Sequence, residues 1–227
     1  MSLREVLQNK AMEWGADLFG VADLEPHRER ILEIYGKEFG GYQCAISFGV
    51  FMPGPVVDEL LEHPSHIYLA YYDIANSLIN EIGLRLNNYL VKEGHKAFPI
   101  PSSQRSGEAK EGSIFSHRMA GELAGLGWIG KNSSLVNDKV GPRLRLGTVL
   151  TNAALVADSP VENKCGECRL CTEICPANAI LGKNYEYGQP LEERFIFHRC
   201  DDYLTEVRQT FGKRICGKCV AVCPYGR

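Results

Sequence analysis

With 227 residues, 44% of them hydrophobic and 23% charged, the chain has the composition of a soluble globular protein and the length for one medium domain plus a small second one. No stretch approaches the roughly 20 uninterrupted apolar residues of a membrane span, and the opening Met1-Ser-Leu-Arg-Glu-Val6 lacks the apolar segment of a secretory signal, so a cytoplasmic protein without a membrane partner is expected. A net charge of −3 supplies no overall attraction to phosphate backbones, which argues against nucleic acid as the default partner.

Ser2 with Glu5 three residues on forms a capping box, and Leu3, Val6, Leu7, Ala11 and Trp14 at helical spacing predict a first helix that Gly15 stops. Leu18 to Val21 and Cys44 to Val50 are short, apolar and bounded by glycines, the pattern of buried strands, and Pro53 and Pro55 end the second. A long helix is predicted from about His66 to Glu93, with Ile67, Tyr71, Ile74, Leu78, Ile82, Leu86 and Leu90 as its core stripe and Gly94 after its end. Lys96 to Ile100 reads as a strand, Ser102 to Gly112 as a polar surface loop, His117 to Ala124 as a helix and Arg145 to Leu155 as a strand. Helices and strands alternate throughout, so residues 1–158 are expected to form a layered α+β domain, joined through Ala157-Asp-Ser-Pro160 to a small domain at 159–227.

Eight of the nine cysteines fall between Cys165 and Cys223. In a chain without a secretory signal such crowding reads as metal ligation rather than disulfides. Cys165, Cys168, Cys171 and Cys175-Pro176 reproduce the bacterial ferredoxin run, with two, two and three intervening residues and a trailing proline. Cys216, Cys219 and Cys223-Pro224 repeat it with the leading cysteine missing, and Cys200 supplies that thiolate. Because the fourth cysteine of such a run serves the other cluster, the expected ligand sets for two [4Fe-4S] clusters are Cys165, Cys168, Cys171 and Cys223, and Cys175, Cys200, Cys216 and Cys219. Zinc also takes four thiolates; the spacing and the two Cys-Pro endings favour iron–sulfur. Cys44 stands apart, and its simplest reading is a small buried strand residue.

Gly125-Leu-Gly127-Trp-Ile-Gly130 satisfies the dinucleotide-binding fingerprint by letter. That motif must follow a strand and open a helix, whereas here a predicted helix precedes it, so a nucleotide site is not expected.

Taken together, Ala124-Gly-Leu-Gly-Trp-Ile-Gly-Lys-Asn132, Gly141-Pro-Arg143, Leu146-Gly-Thr-Val-Leu-Thr151 and the cysteine order, with the lone Cys200 in Arg-Cys-Asp-Asp-Tyr-Leu-Thr, resemble the epoxyqueuosine reductases over residues 40–227. A generic ferredoxin would not reproduce that combination. The resemblance, which extends to the reductive dehalogenases, implies a nitroreductase-like α/β N-terminal domain carrying a cobalamin, followed by a ferredoxin-like domain with two [4Fe-4S] clusters that feed electrons to cobalt. It implies that the Gly125–Asn132 turn and the Gly141–Arg143 loop line the corrinoid pocket, with Gly127, Trp128, Lys131, Asn132 and Arg143 as contacts. Small residues would let backbone approach the macrocycle, and Lys131, Asn132 and Arg143 would meet its amide or phosphate edge.

Two departures from the family pattern concern the chemistry. Counting back from Ala124, the family's catalytic aspartate falls at Glu111 and its following glutamate at His117; Glu111, one methylene longer, and His117, a group that titrates near neutrality, are the candidate proton donors. Alternatively His117 caps a helix start, with Ser116 the competing cap. The sequence also stops four residues after Cys223, without the C-terminal extension of full-length members, and carries net negative charge, both of which argue against a tRNA substrate. The expected function is an oxidoreductase that passes electrons from a reduced ferredoxin or flavodoxin through both clusters to a cobalamin, which reduces a small substrate. The alternative is an electron-transfer protein or reductive activator serving a corrinoid protein or other redox partner, with no substrate of its own.

Overall fold

The computed structural model describes residues 1–102 and 114–227. Along the chain run α1 (Leu3–Glu13), β1 (Leu18–Asp23), α2 (Arg28–Tyr35), β2 (Cys44–Phe51), α3 (Gly54–Asp58), α4 (His66–Lys92), β3 (Ala97–Ile100), α5 (His117–Leu123), β4 (Trp128–Ile129), β5 (Leu135–Val136), β6 (Leu144–Thr151), α6 (Leu170–Glu173), α7 (Phe197–Phe211) and α8 (Lys218–Ala221). Two compact units divide the chain, and neither is one continuous segment. The first takes Met1–Val50, Ile74–Leu126 and Arg145–Val161; the second takes Phe51–Asp73, Gly127–Leu144 and Glu162–Arg227. The stretch read from sequence as one domain, 1–158, therefore contributes two inserts to the cysteine-bearing unit.

The first unit is built on a sheet of order β1-β2-β6-β3, with β1 antiparallel to β2 and β3 antiparallel to β6. β2 is buried along nearly its whole length, as a central strand must be, and β3 tolerates Pro99 because it lies at the edge. The capping box at Ser2 and Glu5 forms as expected and starts α1, which packs with α5 against β1. Gly147 in β6 makes room for Phe48: a Cβ at that position would lie 2.3 Å from the Phe48 ring. Asp158 ties the end of this unit to its start, accepting from Arg4 at 2.7 Å and from the Val21 amide at 2.9 Å. Those bonds carry the expected joint at 157–160 into the first unit, and the chain crosses over at Val161–Glu162.

One predicted stripe is corrected. The buried side of α4 runs through Ala75, Ile79, Ile82, Leu86 and Leu90, whereas Ile67, Tyr71 and Ile74 are 53%, 41% and 60% exposed. The apolar residues of the first two turns outnumber what one core stripe needs; Tyr68, Leu69 and Tyr72 serve the second unit instead. Among the described residues no helix is long and apolar enough to cross a membrane.

The glycine fingerprint has no nucleotide geometry. Helix α5 precedes it and the β4–β5 hairpin follows, so no helix N-terminus faces a phosphate. Gly127 is required because a Cβ there would come within 2.2 Å of the Val136 carbonyl oxygen across the hairpin.

Candidate iron–sulfur centres

The two runs fold alike from Cys168 and Cys216 onward: two residues after each of these cysteines one helical turn begins, α6 or α8, which carries the next cysteine, Cys171 or Cys219. Gly166 and Gly217, each directly after a cysteine, have φ of +46° and +76°, a conformation that side-chain-bearing residues disfavour. The amides of Cys175 and Cys223, each closing its run, donate to Thr172 and Val220 at the same 3.4 Å. Helices α6 and α8 pack together, so each terminal cysteine is brought to the other run.

Two cavities result, both within the second unit. One, a narrow cleft of about 20 Å³, is lined by Cys165, Cys168, Cys171 and Cys223 together with Lys131, Asn132, Val136 and Tyr225. The other, about 380 Å³, is lined by Cys175, Cys200, Cys216 and Cys219, with Tyr68, Tyr72, Ile180, Phe195 and Tyr203 among its walls. Cys200 comes from the first turn of α7, whose Tyr203 and Leu204 face the same space three and four residues on. Asn132 lines both cavities.

The electrostatics follow the same grouping except at Cys219, which stands near both sets. Burial raises the Cys171 thiol, and the nearby Cys165 and Cys168 raise it further; Cys223 is pushed up to about 11 by burial and then by Cys165, Cys171 and Cys168. Cys200 is pushed up to about 11 by burial, then by Cys216 and Cys175; Cys219 rises through burial, then through Cys216 and through Cys171 of the other set. Four crowded thiolates need a compensating cationic core. Among the described residues no three His, Cys, Asp or Glu side chains are grouped to hold a single metal ion. The donor set fits a cluster in each cavity: four thiolates of one chemistry, part-shielded by apolar and aromatic walls.

Residues expected at a corrinoid are built into this unit instead. Trp128 is buried, its ring edge-on to Tyr225 with centroids 4.9 Å apart and its Nε1 donating to Cys165 Sγ at 3.4 Å. Lys131 Nζ donates to the carbonyls of Gly166 and Cys168 at 2.6 and 3.0 Å. Asn132 Nδ2 donates to the Cys219 carbonyl at 3.0 Å. The Arg143 guanidinium, 3% exposed, pairs with Asp58 at 2.7 Å and donates to the carbonyls of Ala221 and Gly54 at 2.9 and 3.3 Å, stitching α3, α8 and the 141–143 loop. Lys131, Asn132 and the terminal nitrogens of Arg143 thus each bond backbone carbonyls or a carboxylate of their own unit, while Arg143 Nε is buried without a partner, and Gly127 packs against Val136. Glycines at 127 and 141 signal close backbone approach, but the sequence does not say that the approaching chain is the protein's own.

In the first unit His117 stands at the start of α5, capped by Ser116, whose hydroxyl accepts from the Met119 amide. Burial pushes the His117 ring down to about 4, and a weaker hydrogen bond to Pro101 opposes this. The neutral ring carries its proton on Nε2, facing the Pro101 carbonyl at 3.3 Å, and accepts at Nδ1 from Thr148 Oγ1 at 2.8 Å. The near-neutral titration expected from its residue type is therefore corrected: desolvation has removed it. Glu111 lies outside the described residues. Cys44 is 6% exposed in β2 with its thiol raised by burial, the inert strand residue expected.

Fold and cysteine geometry define the class: a double-cluster iron–sulfur protein, α+β in its first unit and ferredoxin-like in its second. Residues 164–226 match the family of the 4Fe-4S double cluster binding domain. The chain is similar to the epoxyqueuosine reductase of Aliivibrio fischeri, 31% identical over 185 residues that cover 74% of this chain and 44% of that one, and to the epoxyqueuosine reductase of Escherichia coli, 37% identical over 121 residues, covering 48% and 30%. It spans less than half the length of these relatives. Among solved structures, a reductive dehalogenase described by a mechanism for B12-dependent dehalogenation aligns with a TM-score of 0.73 at 19% identity, covering 98% of this chain and 32% of that one. An epoxyqueuosine reductase with an epoxyqueuosine-modified tRNA-Tyr stem loop aligns with a TM-score of 0.67 at 19% identity, covering 99% and 65%. The likeness to epoxyqueuosine reductases and reductive dehalogenases anticipated from the motifs is thus found in sequence and fold.

Proposed function

We propose that this chain is an iron–sulfur oxidoreductase in which Cys165, Cys168, Cys171 and Cys223 hold one [4Fe-4S] cluster and Cys175, Cys200, Cys216 and Cys219 the second, adjacent one. The observation that carries the reading is the exchange of terminal cysteines between the two runs, which leaves two four-thiolate cavities sharing Asn132 as a wall. When bound, the clusters supply one-electron steps at low potential. The chain's part is to hold eight thiolates, shield them with Ile180, Phe195, Val136 and Tyr225, and keep the two sites within one rigid unit.

The electron acceptor takes two forms. Likeness to B12-dependent and epoxyqueuosine-reducing proteins supports a corrinoid that reduces a small substrate, with ferredoxin or flavodoxin as donor and tRNA set aside on the charge of the chain. Engagement of Lys131, Asn132 and Arg143 within the cluster unit favours the second form, an electron-transfer protein or reductive activator serving a corrinoid or other redox centre on a partner. Anaerobic purification with iron, sulfide and cobalt analysis, followed by cobalamin titration, separates them. Full iron and sulfide with saturable cobalamin binding supports the enzyme; full clusters without cobalamin binding support the carrier; zinc in place of iron and sulfide overturns both.

A further inference from the structure

Lys131 is a buried cation without a carboxylate. It is 4% exposed, its ammonium donates to the carbonyls of Gly166 and Cys168, and no acidic side chain among the described residues forms an ion pair with it. Glu167 and Glu186 share the polar recess on its outer side and stand beyond ion-pair distance. Taking a charge out of water is unfavourable unless an opposite charge offsets it. The opposite side of Lys131 lines the cleft of Cys165, Cys168, Cys171 and Cys223. Four thiolates around an iron–sulfur core leave a net negative charge there, which becomes more negative on reduction.

We infer that Lys131 is the built-in counter-charge of the cluster held by Cys165, Cys168, Cys171 and Cys223, and that with Trp128 it sets that cluster's reduction potential above the value its thiolates alone would give. The inference rests on the proposed ligand set. Trp128 acts in the same direction through its indole N–H, which donates to Cys165 Sγ at 3.4 Å and draws electron density from the ligand. Lys164 adds a second, exposed cation 5.8 Å from the Trp128 ring centroid. At the other cavity the nearby guanidinium of Arg214 is already paired with Asp201, and Lys218 is turned to the Leu61 carbonyl. Both residues are positioning groups: they touch ligands and ligand loops, and their effect is read in the potential.

The test uses Lys131→Gln, which removes the charge and leaves a shorter amide donor facing the two carbonyls, Trp128→Phe, which keeps an aromatic side chain and removes the N–H with the pyrrole part of the indole, and Lys131→Arg, which keeps the charge. Each protein is purified anaerobically, its iron and sulfide counted, and its two clusters titrated by EPR-monitored redox potentiometry. One midpoint moves to lower potential in K131Q and the same one moves in W128F; the other stays, and K131R restores the wild-type value. Unchanged midpoints in K131Q and W128F with full clusters, or equal shifts of both clusters, overturn the inference. A K131Q protein that loses one cluster overturns the electrostatic role in favour of a loop brace. Wild-type protein without clusters would instead sink the ligand assignment itself.

Discussion

Replacing Gly141 with alanine perturbs the cluster unit at one atom. Gly141 has φ of +58°, and a Cβ built there lies 1.8 Å from the Tyr225 carbonyl oxygen and 2.7 Å from its carbon. The obstacle is backbone, so Tyr225 must withdraw until the contact reaches the 3.0 Å below which real Cβ contacts are essentially absent. Left-handed backbone costs alanine about 1–2 kcal/mol, and moving Tyr225 gives up an edge-on contact with Trp128 of about 0.5–1.5 kcal/mol. Tyr225 follows Cys223 by two residues, so the displacement is felt at a proposed ligand. The expected result for Gly141→Ala is about 2–3 kcal/mol of lost stability in anaerobic urea unfolding, with selective loss of iron from one cluster. Gly212→Ala is the control: its φ is +81° with nothing within 4 Å, so it costs only the left-handed penalty of about 1–2 kcal/mol and leaves both clusters in place. A Gly141→Ala protein with full iron and unchanged midpoints would refute the close packing of the 141 loop on the Cys223 segment.

Exchange of terminal cysteines makes Cys175→Ser abolish the same EPR signal as Cys216→Ser, although Cys175 belongs to the first run; loss of the Cys165→Ser signal instead would refute the sharing. His117 gives the first unit a pH dependence. Its ring is neutral in the folded state down to about 4, whereas unfolded histidine takes up a proton near 6.5. The stability is fully present above about 6.5 and declines as pH falls toward 4, by at most about 3 kcal/mol and less because the ring is only half-buried. The urea midpoint of the wild type should therefore drop more between pH 7 and 5 than that of His117→Gln; parallel declines would refute the buried neutral ring.

The elements of the first unit were readable because local signals agree with packing. The capping box at Ser2, the glycine-bounded apolar runs of β1 and β2 and the period of α4 beyond Ala75 each point to the element that formed. The first turns of α4 misled because Ile67, Tyr71 and Ile74 continue at helical spacing into Leu78 and Ile82, while the buried side runs through Ala75, Ile79 and Leu86; periodicity records which residues lie together, not what covers them. His117 misled for a related reason: residue type sets an intrinsic titration, and only the surrounding desolvation moves it to about 4.

By itself the sequence determined the chemistry of the cysteines, because spacings of two and three residues dictate how many thiolates one turn can turn to one point, and the trailing prolines mark where each run stops. Tertiary structure alone decided what surrounds them. Lys131, Asn132 and Arg143 carry polar groups suited to a corrinoid edge as well as to a carbonyl, and no pattern of letters separates the two. Folding separates them: a chain that leaves the first unit at Phe51 and again at Gly127 brings those donors onto the backbone of Gly166, Cys168, Cys219 and Ala221, where buried carbonyls would otherwise go unpaired. Hydrogen-bond partners distant in sequence are a property of the closed fold, and here they make Lys131, Asn132 and Arg143 part of the frame of the iron–sulfur unit.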